Sequence, residues 1–213
     1  MRKSCRLKIT SFPIEKIVNK EDLQKFPKIN FKKGEIYYPE DIKLLLIEKG
    51  EAKVIFVHSD KEFILYYLKE GNFYVMHPQT YLEFKKDSTI YLLDPNQFNE
   101  LYQNKDFANA ILNSFTKIMM LEKEIIKELA FYECEQRIAN FLLNITKNCI
   151  KDQNDNYILK KKLTVTEISN FIGVRRQTAS KIFNQFIEEG IIEKKRGDLI
   201  IKNIKKLKEI VKS

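Results

Sequence analysis

The chain has 213 residues, enough for one large or two small domains with a substantial core, and its hydrophobic fraction of 44% is ordinary for a globular protein. No apolar run approaches the roughly 18–20 residues that a membrane-spanning helix needs, and no apolar segment follows the basic N-terminus, so we expect no membrane partner and no signal peptide. The three cysteines are far apart, which excludes a disulfide framework or a zinc ribbon and favours the reducing cytoplasm.

The net charge of +9 lies in the last third of the chain. Residues 1–136 carry 21 Lys and Arg against 21 Asp and Glu, whereas residues 137–213 carry 17 against 8. Because residues 1–136 are neutral and residues 137–213 are basic, we expect only the C-terminal segment to bind a polyanion such as nucleic acid. The alternative at this point is a generic lysine-coated surface.

Residues 30–93 are typical of short strands separated by polar turns. The apolar runs end at Gly50, at Ser59-Asp60, at Gly71 and at Asp94. Strands at this regular spacing predict an antiparallel, jelly-roll-like β-roll. Asp94 followed by Pro95 is a helix start signal, because Asp can cap the first turn and Pro fits inside it.

From Phe107 to Phe131 the chain has no Gly or Pro, and apolar residues recur in alternating steps of three and four. This seam consists of Ala108, Ile111, Phe115, Ile118, Ile125 and Leu129. The residues that widen its apolar face are Leu112, Met119 and Ile126. The apolar pattern is interrupted at Glu122, where the neighbouring Leu121 can supply the apolar side chain instead. A helix roughly 37 Å long with two apolar faces needs two partners, so we expect the roll on one side and the same helix of a second subunit on the other. A single buried helix in a monomer is the alternative.

Near the C-terminus, the sequence predicts a helix-turn-helix with a wing. Thr164 and Glu167 have the spacing of a capping box, Gly173 permits a tight turn, and a hairpin around Gly197 forms the wing. The second helix has an apolar face formed by Ala179, Ile182, Phe183 and Phe186. Its opposite face carries Arg176, Gln177, Ser180 and Lys181.

That polar face has the chemistry for reading double-stranded DNA. Arg176 can donate two hydrogen bonds to guanine, and Gln177 can pair with an adenine edge. Ser180, Lys181 and Arg175 are placed to contact phosphate, and the amides of the helix N-terminus add to them. A winged helix that binds protein is the alternative, but it gives no reason for two arginines, a glutamine and a lysine within one and a half turns.

The whole chain resembles the CRP/FNR family of bacterial transcription regulators, whose recognition helix has a G-x-x-R-[EQ]-T core. Gly173, Arg176, Gln177 and Thr178 match that core. The resemblance implies an α+β fold with an effector-sensing roll over residues 1–106, a dimerisation helix and hinge over 107–136, and a winged helix-turn-helix over 137–213. It also implies a homodimer, a palindromic DNA site, RNA polymerase as a partner, and base contacts from Arg176, Gln177 and Lys181. Gln177 in place of glutamate leaves the operator sequence open.

The sequence lacks the residues that bind two common effectors of the family. Its cyclic-nucleotide sensors clamp the phosphate with an arginine, but there is none between Arg6 and Arg137, and Lys85 or Lys86 would be a poor substitute for the bidentate guanidinium. Its oxygen sensors hold an iron–sulfur cluster with several N-terminal cysteines, and only Cys5 lies there. We therefore expect neither a cyclic nucleotide nor an iron–sulfur cluster.

Residues 61–94, including His77, are similar to the carbon-monoxide-sensing haem regulators of the same family. This similarity implies a haem b held by His77, with the partner subunit's Met1 amine as the displaceable ligand, for which Cys5 could compete. It implies a gas-side lining of Ile111, Phe115, Thr116 and Met119. Pro78 departs from the small residue common after this histidine. Another small apolar or redox effector, and action without any effector, are the alternatives.

Two further classes are open to test. Metal enzymes on a comparable roll need two or three clustered histidines and a carboxylate, whereas His58, expected in a solvated turn, and His77 stand alone, so we expect no enzyme. An architectural DNA-binding protein without a sensor would bind DNA equally well with and without ligand.

Overall fold

The computed structural model describes Val18 and residues 23–59, 61–146, 149–159, 163–195 and 197–212. The chain divides after Lys123 into two compact units. The predicted Met1 and Cys5 lie outside the described residues. Within the described ranges, no helix is both long and apolar enough to cross a membrane.

The first unit contains the predicted antiparallel β-roll. Its strands are β1 (Lys28–Phe31), β2 (Ile36–Tyr37), β3 (Lys43–Lys49), β4 (Glu51–His58), β5 (Lys61–Lys69), β6 (Phe73–Met76), β7 (Thr80–Phe84) and β8 (Ser88–Leu93). The described strands form two sheets, in the orders β1-β8-β3-β6 and β2-β7-β4-β5, and every pairing is antiparallel. The prediction of a roll is confirmed.

The tight turn between β3 and β4 depends on Gly50. Its φ of +108° lies where L side chains are strained, and a Cβ at this position would collide with Ser88. Strand β4 pairs with β5 and β7, and its Ala52 and Val54 are fully buried in a core shared with Tyr66 and Leu82.

Helices follow the roll as the sequence predicts. Helix α1 (Pro95–Tyr102) begins with a complete capping box between Asp94 and Gln97. Helix α2 (Lys105–Phe131) begins two residues before the predicted start, because the Asn104 side chain accepts hydrogen bonds from the backbone amides of Asp106 and Phe107.

Helix α2 has one buried and one exposed apolar face. Residues Phe107, Ile111, Ile118 and Leu121 are at most 7% exposed and belong to the two core clusters of the roll unit. On the other side, Leu112 is 65%, Met119 54% and Ile126 64% exposed. The three are seven residues apart, so they form one stripe along the helix.

The second unit contains the predicted winged helix-turn-helix. Its elements are α3 (Cys134–Ile145), β9 (Ile150–Lys151), β10 (Tyr157–Leu159), α4 (Val165–Ile172), α5 (Arg176–Glu188), β11 (Ile192–Lys195), β12 (Asp198–Ile201) and α6 (Ile204–Lys212). The described strands are ordered β11-β12-β10-β9, so the wing hairpin continues into a larger sheet. The sequence reasoning did not foresee β9, β10 or α6, which packs against α3.

Candidate nucleic-acid interface and sensor site

The turn between α4 and α5 is built from local signals. The Thr164 hydroxyl accepts a hydrogen bond from the Glu167 amide at 3.0 Å, and the Glu167 carboxylate accepts one from the Thr164 amide at 3.2 Å. Gly173 ends α4 with a φ of +67°, in the left-handed region that glycine adopts most readily. Three residues later α5 begins, so the two helices are held as one motif.

Helix α5 separates its polar and apolar residues as predicted. Ala179, Phe183 and Phe186 are at most 1% exposed. Arg176, Gln177 and Lys181 are exposed, whereas Thr178 and Ser180 are half-buried. Arg176 and Ser180 are one turn apart, as are Gln177 and Lys181, so these four residues share one face. We call them the reading face.

The N-terminus of α5 has no side-chain cap. Arg175 occupies the cap position in an extended conformation, and its side chain makes no capping hydrogen bond. The first amides of a helix have no partner within the helix and carry a partial positive charge. With Arg175 and Arg176 beside them, they favour an anion such as a phosphate group.

The wing adds further positive charge. Strands β11 and β12 pair from Ile192 with Ile201 to Lys195 with Asp198. The Lys194 ammonium lies 5.6 Å from the centre of the Phe183 ring, which places this strand beside α5. Lys194 and Lys195 are both exposed.

His77 lies in the turn between β6 and β7 and is half-buried. Its carbonyl accepts hydrogen bonds from the Thr80 amide at 3.0 Å and the Thr80 hydroxyl at 3.1 Å. Its imidazole Nδ1 accepts the Gln79 amide at 3.3 Å. His58, by contrast, is exposed at the end of β4.

The predicted gas-side residues lie along α2 in different surroundings. Ile111 is 1% exposed and packs in a cluster with Phe73 and Phe107, whereas Met76, next to His77, belongs to the other core cluster. Phe115 is half-buried against the first of these clusters. Thr116 and Met119 are exposed, and the Thr116 hydroxyl donates to the Leu112 carbonyl at 2.8 Å.

In the described conformation, one nitrogen of the candidate haem ligand His77 is already engaged. The hydrogen bond from the Gln79 amide to Nδ1 would have to break before Nδ1 could donate a proton or bind iron. Among the described residues, no group of three or more His, Cys, Asp and Glu side chains is placed to hold a metal ion.

The interior of the roll contains polar groups that the sequence reasoning missed. Tyr66 and Tyr74 are 0% and 5% exposed, and their rings meet edge to face with centroids 5.6 Å apart. The Tyr66 hydroxyl has no well-directed hydrogen-bond partner among the described residues. Burial raises its pKa well above the usual value, and the neighbouring Tyr74 and Glu122 reinforce this effect. The one available signal was Glu122 itself, which interrupts the apolar pattern of α2.

The two lysines considered as phosphate ligands are held by carboxylates. The Lys85 ammonium lies 3.0 Å from Glu83, and the Lys86 ammonium lies 3.9 Å from Glu51. Glu83 also binds the almost fully buried Lys53 at 2.9 Å. Lys85 is thus part of an ion-pair cluster, whereas Lys86 is 70% exposed and its ion pair is long.

Comparison with known proteins agrees with this architecture. Residues 136–210 match the Crp-like helix-turn-helix domain. The chain is 24% identical, over 159 residues, to the cAMP-activated global transcriptional regulator CRP of Salmonella typhimurium, covering 70% of this chain and 75% of that one.

Similar solved structures cover almost the whole chain. A CooA mutant from Carboxydothermus hydrogenoformans superimposes with a TM-score of 0.83 at 26% identity, over 97% of this chain and 98% of that one. CprK in complex with OCPA superimposes with a TM-score of 0.79 at 20% identity, over 99% and 100%. With its β-roll, long helix and Crp-like helix-turn-helix, the chain belongs to the CRP/FNR family of transcription regulators and resembles CooA within it.

Proposed function

We propose that this protein is a homodimeric, effector-responsive transcription regulator that binds a palindromic DNA site with α5 in the major groove. The observation that carries the proposal is the reading face, which is polar and solvent-facing at an uncapped helix N-terminus while the opposite side of α5 is buried. Arg176, Gln177 and Lys181 read base edges, and Arg175, Thr178 and Ser180 help to hold the adjacent backbone.

The homodimer is supported by the exposed stripe Leu112, Met119 and Ile126. Large apolar side chains repeated every seven residues on a 27-residue helix match the pattern of a two-stranded coiled coil. The two copies of α2 run in parallel, because each leads into its own DNA-binding unit and both units must reach one duplex. A second copy of this chain is therefore the partner that covers the stripe.

Binding to a palindrome is tested with duplexes selected from a random library. We expect enriched sequences to contain two inverted half-sites whose centres are one helical turn, roughly 34 Å, apart. A duplex with one half-site scrambled should bind much more weakly than the intact palindrome. Enrichment of single, unpaired sites would contradict the dimeric arrangement.

Effector control is supported by the range of effectors in the matched proteins. CRP is described as activated by cAMP, and the CprK structure contains OCPA. In this chain, Lys85 and Lys86 are engaged by Glu83 and Glu51, which argues for an effector other than a cyclic nucleotide. Its binding in the roll shifts an existing equilibrium between DNA-competent and DNA-incompetent forms.

A more specific candidate for the effector mechanism is carbon-monoxide sensing through haem. It is favoured by the likeness to CooA, described as a CO-dependent transcription factor, and by the position of His77 at the end of β6. When bound, haem would supply a ferrous iron that takes up the gas. The chain would hold it through His77 only after the Gln79 amide releases Nδ1.

An absorption spectrum tests the haem candidate. Protein produced with ample haem should show a Soret band that shifts with carbon monoxide and is lost in His77→Ala. A colourless wild-type protein that still binds its palindrome would eliminate haem and leave the regulator with another small-molecule or redox effector.

A further inference from the structure

Helix α6 presents a second cationic surface, separate from the reading face. Four of its nine residues are lysines, and Glu209 is its one acidic residue. The lysines are Lys205, Lys206, Lys208 and Lys212, and all four are exposed. We call them the α6 lysines.

Packing on the other side of α6 holds its lysines outward. Leu207 is fully buried, and the three other apolar residues of the helix are half-buried. The Asn203 side chain caps the first turn by accepting a hydrogen bond from the Lys206 amide at 3.0 Å. The helix therefore has a fixed orientation on the domain, with its charged side towards solvent.

No carboxylate among the described residues neutralises the α6 lysines. Lys202, just before the helix, is paired with Glu193, but none of the α6 lysines forms a salt bridge with a residue that the structure describes. Helix α2 has the mixed charge of a solvated surface, because it carries four lysines and four carboxylates and Lys127 pairs with Glu124 at 3.1 Å. The charge of α6 is therefore available to an external anion.

The chemistry of this surface favours double-stranded DNA. None of the exposed residues from Ile204 to Lys212 is apolar, so α6 lacks the aromatic and aliphatic anchors of a protein interface and the stacking platforms that bind single strands. Lys205, Lys208 and Lys212 share one face and span about 10 Å along the helix axis. Phosphates follow one another by about 3.4 Å along each strand of a duplex, so this row of lysines matches about three phosphate steps.

The α6 lysines lie away from the end of α5 that carries the reading face. The amides of Lys202 and Asn203 donate to the Ile191 carbonyl at 2.9 and 3.1 Å, which places the start of α6 just beyond the C-terminal end of α5. The reading face ends at Lys181, about 15 Å earlier along the helix direction. Helix α3, none of whose residues is exposed, packs against both α5 and α6. A duplex held by the reading face therefore leaves the α6 lysines open to other DNA.

We propose that the α6 lysines form a second, sequence-independent DNA-binding surface, which holds a separate duplex while the reading face holds the palindrome. This inference rests on the proposed function, because the palindrome must be bound before two duplexes are joined. It gives the regulator a further activity, the bridging of two DNA segments.

The test is a capture assay with the full-length protein. A palindromic duplex is immobilised and saturated with protein, excess protein is washed away, and a fluorescent duplex without the palindrome is added at low salt. We expect wild type to retain this second duplex. The triple variant Lys205→Gln, Lys208→Gln and Lys212→Gln should retain at least about fivefold less, while its affinity for the palindrome stays within about twofold of wild type.

The matched control removes three exposed lysines from the first unit, with Lys33→Gln, Lys49→Gln and Lys105→Gln. It should retain the second duplex as well as wild type does, and an equal loss in both triple variants would reveal a general lysine coat and overturn the inference. Glu209→Gln removes the one acidic group of α6 and should retain about twofold more of the second duplex. The absence of this gain would overturn the inference even if the triple variant failed to fold.

The outcomes separate this inference from the proposed function. A wild type that binds the palindrome but retains no second duplex overturns the role of α6 and leaves the regulator intact. Long flanks that strengthen binding to a single duplex through the α6 lysines, without capture, would place these lysines on the same duplex and overturn bridging. Capture of polyglutamate in place of the second duplex would overturn DNA as the partner. A protein that does not bind the palindrome overturns the proposed function, and this inference with it.

Discussion

Arg176 is the residue on which we expect sequence-specific binding to depend most. It begins α5, is exposed, and forms no salt bridge with any residue that the structure describes. We expect Arg176→Ala to weaken binding to the palindrome by about 1–3 kcal/mol and to relax specificity at one base pair of each half-site. Gel-shift titrations against single-base variants of the site measure both effects.

The control for this prediction is Lys195→Ala on the wing. Loss of a phosphate contact should weaken all the single-base variants by a similar factor. An unchanged base preference in Arg176→Ala would show that the reading face has been assigned to the wrong residues.

Glu83 is the residue whose charge matters most for the stability of the roll. Burial acts to raise its pKa, but hydrogen bonds from Lys53 and Lys85 outweigh burial and hold the pKa below the ordinary 4.5. A lowered pKa in the folded state means that stability is gained above about pH 4.5 and lost as the pH falls through the folded pKa. We expect Glu83→Gln to lose about 3 kcal/mol at pH 7 because the almost fully buried Lys53 loses the charge of a carboxylate 2.9 Å away.

Urea denaturation at pH 7 and at pH 3–4 measures this effect. The difference between wild type and Glu83→Gln should shrink as the pH falls through the lowered pKa of Glu83, because the carboxyl of the wild type then becomes protonated. Glu124→Gln breaks only an exposed pair and should cost less than about 0.5 kcal/mol. An equal cost of Glu83→Gln at both pH values would show that its charge is not what stabilises the sheet.

At the scale of the element, helix α2 has an exposed apolar surface that we expect a second subunit to cover. Met119 is 54% and Met120 64% exposed, but only Met119 lies in line with Leu112 and Ile126. We expect Met119→Lys to make the protein monomeric and to abolish tight binding to the palindrome, because a charge would enter the seam from both subunits. Sedimentation and gel-shift assays measure the two consequences.

Met120→Lys is the matched control. The substitution is chemically the same and the exposure similar, but the side chain points away from the stripe, so the dimer should persist. Equal behaviour of the two variants would place the contact on another face of α2.

At the scale of the whole molecule, the excess of positive charge lies in residues 137–213, which carry 17 Lys and Arg against 8 Asp and Glu. Arg175, Lys194 and Lys195 are exposed cations outside the reading face, so we expect a dimer to make about six phosphate contacts and to show a slope of roughly −5 in a plot of log K against log salt concentration. Binding measured across a salt series checks this value. Lys194→Ala should reduce the slope by about two, one contact from each protomer. An unchanged slope would remove Lys194 from the DNA contact.

Local signals explain how far the sequence predicted this molecule. Capping boxes at Asp94 and Thr164 and the turn at Gly173 act within a few residues, so α1, α4 and the start of α5 could be read directly. The burial of Lys53 could not be predicted from the sequence. Its side chain lies on the polar side of the β4 alternation, and its carboxylate partner comes from β7. The hydrogen bond from Gln79 to Nδ1 of His77 depends on the conformation of a turn, which no periodicity encodes.

At the N-cap position of α5, the residue types that would stabilise the protein would also weaken DNA binding. Aspartate or serine in place of Arg175 would satisfy the first amides of the helix and make the isolated domain more resistant to heat. The same exchange would fill the place that a phosphate needs and, with aspartate, repel it. Selection for thermal stability alone would therefore favour a substitution at position 175 that weakens DNA binding.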